Sequence, residues 1–135
     1  MKKVLILCTG NSCRSIMAEA LVNNDLRELG VEAYSSGVAP SGKVNPDAIL
    51  ALQQANIPTE GLHSKKLDVF EGVIFDLVVT VCDHAQETCP MFPGRSKVVH
   101  VGFEDPSGGD FQGYINTRDL IRKELLPRVR QELGV

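Results

Sequence analysis

The pattern that most limits how this chain can fold is an alternation of short, nearly all-apolar runs with longer amphipathic stretches. Residues 3–7, 75–81 and 97–101 are rich in Val, Ile and Leu and, with the short mixed run 31–35, read as strands. Between the first two, residues 16–29 set Ile16, Ala18, Ala20, Leu21, Leu26 and Leu29 on one broad helical face, and Gly30 supplies the stop. Asn45 and Pro46 read as the cap and first residue of a helix reaching about Asn56. Residues 67–72 read as a short helix. Residues 116–133 carry Ile121, Leu125, Val129 and Leu133 at i+4 spacing, with Pro127 expected to kink or split that helix. Residues 102–113 read as a polar, Gly-rich loop. Strands alternating with helices require right-handed crossovers, hence an α/β fold with a parallel sheet covered on both faces. With 135 residues, one domain spanning 1–135 is expected.

In open parallel sheets ligands bind beyond the carboxyl ends of the strands. Cys8, Cys82 and the loop after Val101 all fall at such ends. The segment Cys8-Thr9-Gly10-Asn11-Ser12-Cys13-Arg14-Ser15 follows a strand and opens a helix. A loop with five residues between Cys and Arg can wrap a tetrahedral oxyanion and turn the amides of Thr9, Gly10, Asn11, Ser12, Cys13 and Arg14 toward it. The positive end of the following helix adds to the field. Arg14 can grip two oxygens through its planar fork. That field also lowers the pKa of the Cys8 thiol, so nucleophile and anion cradle are one structure. Gly10 permits close backbone approach, and Asn11 tolerates a left-handed conformation.

Asp105-Pro106 lies in the polar loop after the fourth strand. Displacing an oxygen from phosphorus or arsenic needs an acid, and a carboxyl group near a sulfur anion suits that task. Cys82 and Cys89 are separated by six residues, wider than a usual zinc half-site. Metal ligation, incidental burial and a thiol shuttle are the readings open to them, and the shuttle explains both positions. Cys13 reads as packing, its side chain turned away from the anion.

Net charge is −3 and the sequence pI about 5.6, which argues against nucleic acid or a membrane surface as partner. No apolar run approaches the roughly 18 residues of a membrane span. The run after Met1-Lys2-Lys3 is only four residues long, too short for the core of a signal peptide. A cytoplasmic location is expected. In that reducing compartment four cysteines are not a structural disulfide set.

Taken together these residues resemble the low-molecular-weight protein tyrosine phosphatase family, and within it the thioredoxin-coupled arsenate reductases. The resemblance rests on residues 8–15, Met17-Ala18-Glu19, Tyr34-Ser35 with Gly37, Asn45-Pro46, Leu77-Val78-Val79-Thr80, the Cys82 and Cys89 pair followed by Pro90-Met91, and Gly102-Phe103-Glu104-Asp105-Pro106. It implies a four-stranded parallel sheet with helices on both sides and a reaction in which Cys8 attacks arsenate while Asp105 assists departure of hydroxide. Arg14 and the loop amides hold the oxygens, and Ser15 hydrogen-bonds the Cys8 sulfur. A Cys8–Cys82 disulfide then forms as arsenite leaves, a Cys82–Cys89 disulfide replaces it, and thioredoxin reduces the latter. No tightly bound cofactor and a monomeric state are expected. Some reductases of this kind bind potassium through residues matching Asn11, Glu19 and Ser35 plus an aspartate. Lys65 stands at the aspartate's position here, so no metal is expected and Lys65 supplies the charge. The alternative is a phosphatase acting through a phosphocysteine. Phosphotyrosine-cleaving members carry aromatic residues after the Asp-Pro, whereas this chain has Ser107-Gly108-Gly109. A non-enzymatic anion- or metal-binding module is a further alternative, one that would not need the Cys8 thiol.

Overall fold

A computed structural model describes residues 1–83 and 96–135. Its four strands are β1 (Lys2–Cys8), β2 (Val31–Gly37), β3 (Leu77–Thr80) and β4 (Val98–His100). All pair in parallel, in the order β2-β1-β3-β4. Three α-helices accompany them, α1 (Arg14–Leu26), α2 (Pro46–Gln54) and α3 (Phe111–Leu133), with short 3-10 turns at Arg27–Leu29 and Leu67–Phe70. The expected α/β class and four-stranded parallel sheet are thus present.

Strand β1 lies between two partners, and Val4, Leu5, Ile6 and Leu7 are fully buried. Side chains alternate along a strand, so β1 divides its apolar residues between two faces. Val4 and Ile6 join Met17, Leu21, Leu52, Ile121, Leu125 and Val129 in one core with α1, α2 and α3. Leu5 and Leu7 pack on the opposite face with Phe75 and Val78, next to Tyr34, Leu67 and Phe70. The rings of Tyr34, Phe70 and Phe75 meet edge to face at centroid distances of 5.6, 5.9 and 5.7 Å. Membership of this aromatic group explains why Phe75, expected in β3, lies ahead of it.

Two further expectations are corrected. Helix α3 begins at Phe111, five residues earlier than the apolar spacing indicated, because the Asp110 side chain caps it by accepting from Gly113 N at 3.1 Å. Of the kink or split expected at Pro127, the split is absent, and the chain stays helical through that residue. Buried Leu125, Leu126 and Val129 on either side hold the chain helical where proline alone would disfavour it. Helix α1 begins at Arg14 and gives way to a 3-10 turn after Leu26, with Gly30 left-handed at φ 81° as the expected stop.

The chain leaves β1 toward β2 on one side and later returns to place β3 on the other. The point between β1 and β3 is therefore the topological switch where ligand crevices form. Val81 N donates to Leu7 O at 3.1 Å and Phe103 N to Val81 O at 3.1 Å, so the segments leaving β1, β3 and β4 stay side by side beyond the sheet.

Helices α1 and α3 are tied by a two-pronged ion pair, Arg122 Nε to Asp25 Oδ2 at 2.6 Å and Nη2 to Oδ1 at 2.7 Å. Burial pushes the Asp25 carboxyl up, but hydrogen bonds from Arg122 and Asn24 and the guanidinium charge together hold it below its ordinary value. A carboxyl with a lowered folded pKa stabilises the fold fully above the unfolded value of about 3.9, and this is lost as pH falls through the lower folded value. Arg122→Ala should therefore cost about 0.5–1 kcal/mol at neutral pH, a modest figure because the pair is partly solvated. In urea denaturation the gap from the parent should close as pH falls below about 4 and through the lower folded value. A gap independent of pH would show that lost packing, not charge, is responsible.

Candidate active site

Cys8 ends the central strand, 3% exposed, and Arg14 opens α1, 6% exposed. The turn joining them, residues 8–15, lines a cavity of about 230 Å³ together with Asp105. Eight consecutive residues on one cavity wall mean that the chain wraps around the space. The start of α1 opens into it and contributes the positive end of the helix dipole.

The wrapped form is fixed from outside. Asn11 adopts φ 46°, a left-handed conformation that short polar side chains tolerate. It is 1% exposed, and its amide makes three hydrogen bonds. Nδ2 donates to Ser15 Oγ and to Ser35 Oγ, both at 2.9 Å, and Oδ1 accepts from Lys65 N at 2.9 Å. Ser35 donates in turn to Glu19. The Lys65 ammonium lies 3.6 Å from Glu19 Oε1 and donates to His63 O at 3.0 Å. Asn11, Glu19, Ser35 and Lys65 thus form one connected network behind the loop, with Lys65 as its cation. Gly37 closes the same side. A Cβ there would stand 2.4 Å from Thr9 O and 3.1 Å from Asn11 N, so only glycine lets the turn lie against β2.

The remaining wall comes from the segment after β4. Arg14 Nη1 donates to Phe103 O at 3.1 Å, and Nη2 lies 4.0 Å from Asp105 Oδ2. Arg14 therefore anchors the segment that carries Asp105, a tether that side-chain spacing in the sequence could not reveal because its acceptor is a main-chain carbonyl. Asp105 is half exposed, and its Oδ1 accepts from Ser107 N at 3.0 Å. Cys13 is buried in the core, as its reading as packing requires, yet it also lines the cavity, and its thiol is hydrogen-bonded to Ser107. Burial pushes the Cys13 thiol up to about 12, with the Asp105 carboxylate adding to the rise. Ser107, read from the sequence as part of a polar loop, and Asn45, read as a helix cap, therefore border the site.

Cys8, residues 9–13, Arg14, Ser15 and Asp105 are thus brought together around one space. Cys82 follows β3 and is fully buried in the same core cluster as Cys8, on the α-helical face. It is disulfide-bonded, whereas Cys8 and Cys13 are outside any disulfide. Cys89, expected to complete the set, lies outside the described residues.

An anion-sized cavity walled by a cysteine-to-arginine turn, with a carboxyl group at its mouth, has the parts for attack on a tetrahedral oxyanion. The chain is similar to known proteins in sequence and in fold. The sequence is 41% identical to an arsenate reductase of Bacillus cereus (strain 03BB102) over 124 residues, 92% of this chain and 91% of that one. Among solved structures, an arsenate reductase in the phosphate-binding state superposes with a TM-score of 0.82 at 26% identity, covering 97% of this chain and 98% of the other. A YwlE arginine phosphatase mutant with a phosphorylated active-site serine gives 0.75 at 30% identity, over 96% and 94%. The family model for low molecular weight phosphotyrosine protein phosphatases matches residues 3–133, and the chain belongs to that family.

Proposed function

We propose that this chain reduces arsenate to arsenite, with Cys8 as nucleophile and Cys82 and Cys89 as a thiol relay reset by thioredoxin. The observation that carries the reading is the place of Cys82. Leu7 pairs with Thr80, which sets Cys82 one residue beyond the partner of Cys8 on the neighbouring strand. Strands lie about 4.8 Å apart and rise about 3.3 Å per residue, so this offset corresponds to about 6 Å between Cα atoms. That is within the about 4.4–6.8 Å that a disulfide spans. A disulfide already at Cys82, with Cys8 outside any disulfide, is the state such a relay reaches at its end.

In this mechanism the Cys8 thiolate displaces one oxygen of arsenate, which Asp105 protonates, and a sulfur–arsenic bond forms. Arg14 and the loop amides hold the other oxygens. Ser15 accepts from Asn11 and keeps its own proton to donate to the Cys8 sulfur. The Cys82 thiolate then attacks the Cys8 sulfur, the sulfur–arsenic electron pair stays on arsenic, and arsenite leaves. Cys89 attacks Cys82, Cys8 departs as thiolate, and thioredoxin takes over the Cys82–Cys89 disulfide by exchange. No helix among the described residues is long and apolar enough to cross a membrane, which fits a reductase that meets thioredoxin in the cytoplasm.

Hydrolysis of phosphomonoesters through a phosphocysteine is the second reading, favoured by the family itself and by the Cys8 and Asp105 pair. The two separate at Cys89. Cys89→Ser should release about one arsenite per enzyme and then stall as a Cys8–Cys82 disulfide, since thioredoxin needs an exposed sulfur to attack. Mass spectrometry after one exposure to arsenate identifies the trapped species. Turnover by Cys89→Ser as fast as the parent would rule out the relay and favour the phosphatase.

Two expectations concern the loop itself. Iodoacetamide should alkylate Cys8 with a midpoint below the ordinary thiol value of about 8.5. It should leave Cys13, held near 12, untouched at pH values where Cys8 reacts fully. Peptide mapping of the labelled protein reads both at once. Because Lys65 already supplies the cation beside Glu19, activity should be equal in sodium and potassium salts of the same ionic strength. Lys65→Met should cost roughly 3 kcal/mol, the penalty of stranding one member of a mostly buried ion pair. A large gain specific to potassium in the parent protein would contradict this role.

A further inference from the structure

The segment carrying Asp105 has no regular secondary structure and sits half in solvent, yet an acid must be placed to within a fraction of an ångström of the oxygen it protonates. What holds it lies on the side away from Arg14. Ser107 reaches three elements at once. Its N–H binds Asp105 Oδ1 at 3.0 Å, its hydroxyl is hydrogen-bonded to the Cys13 thiol, and Asn45 Nδ2 approaches that hydroxyl at 3.5 Å. Asn45 is itself fixed. Its N–H donates to Ser12 O at 2.9 Å, its Oδ1 caps α2 by accepting from Asp47 N at 2.9 Å, and its Nδ2 donates to the buried Tyr114 hydroxyl at 2.9 Å. The acid segment, the anion loop, the start of α2 and the first turn of α3 are thereby joined through two side chains.

We propose that Ser107, braced by Cys13 and Asn45, latches the Asp105 segment onto the anion loop, which makes Ser107 a positioning residue for the acid. The latch shares no atom with the reacting groups. Arg14 holds the segment at Phe103 and Ser107 holds it at the far end, so Asp105 is suspended between two anchors on neighbouring parts of one loop, Arg14 directly and Cys13 through its thiol. The inference rests on Asp105 acting as the acid.

The test is a single-turnover measurement with arsenate on the full chain, comparing the parent with Ser107→Ala, Ser107→Thr and Asp105→Asn. Losing the latch should lower the saturated rate about ten- to hundredfold, the cost of misplacing a group by about an ångström. The arsenate concentration at half saturation should not change, because Arg14 and the loop still bind. Ser107→Thr, which restores a hydroxyl, should recover most of the rate. An unchanged rate in Ser107→Ala, alongside a slow Asp105→Asn, would overturn the latch and leave the acid assignment standing. An equal loss of rate and affinity, or no recovery with threonine, would also overturn it by pointing to general distortion of the loop. A fully active Asp105→Asn would overturn the acid assignment and the latch together.

Discussion

Everything at the site is an extension of β1. The strand is hydrogen-bonded on both sides and sealed on both faces, so its last residue has almost no positional freedom. A parallel strand cannot turn back directly, and the chain must leave through a loop into a crossover helix. Cys8 stands where the rigid part ends and Arg14 where the next rigid part begins, and the cavity is the bend between them. Placement of Cys8 is in this sense a by-product of burying Val4, Leu5, Ile6 and Leu7.

The bend has two kinds of support, and they do different work. Behind it, Asn11, Ser15, Ser35, Glu19 and Lys65 form a mostly buried polar network that hydrogen bonds and charge complete. A satisfied network of this kind rigidifies, and each unpaired member would be costly in so dry a place. In front of it, Asp105 and Ser107 are exposed, while Arg14 and Phe103 beneath them are buried. The sheet side is built to stay and the solvent side is built to admit a ligand.

The fold was legible in the sequence because four apolar runs and their intervening helices leave little choice of topology. The cysteine-to-arginine turn was legible because its residue types have few other uses in that order after a strand. Element ends were less so. Asp110 as a cap for α3 competes with a loop reading in a stretch full of glycine, and Pro127 yields to the burial of its neighbours. Also hidden were contacts to main-chain atoms and across long separations. The bond from Arg14 to the Phe103 carbonyl spans 89 positions, and Asn45 meets Tyr114 across 69. Hydrophobic periodicity carries no information about such pairs, since any residue can offer a carbonyl.

Gly37 bears on how such a protein can change over generations. Its missing side chain touches no substrate and adds nothing to the core, yet the Thr9 carbonyl occupies the space where that side chain would be. A newly acquired methyl group would be relieved most cheaply by displacing the loop, since the strand is locked in the sheet. The altered chain would keep its sheet and lose the shape of its loop. Selection acting on expression alone would pass over the lesion, while selection on chemistry would remove it at once. In this chain the identity of residue 37 is thus set by a carbonyl oxygen of the loop rather than by the core or by anything in the cavity.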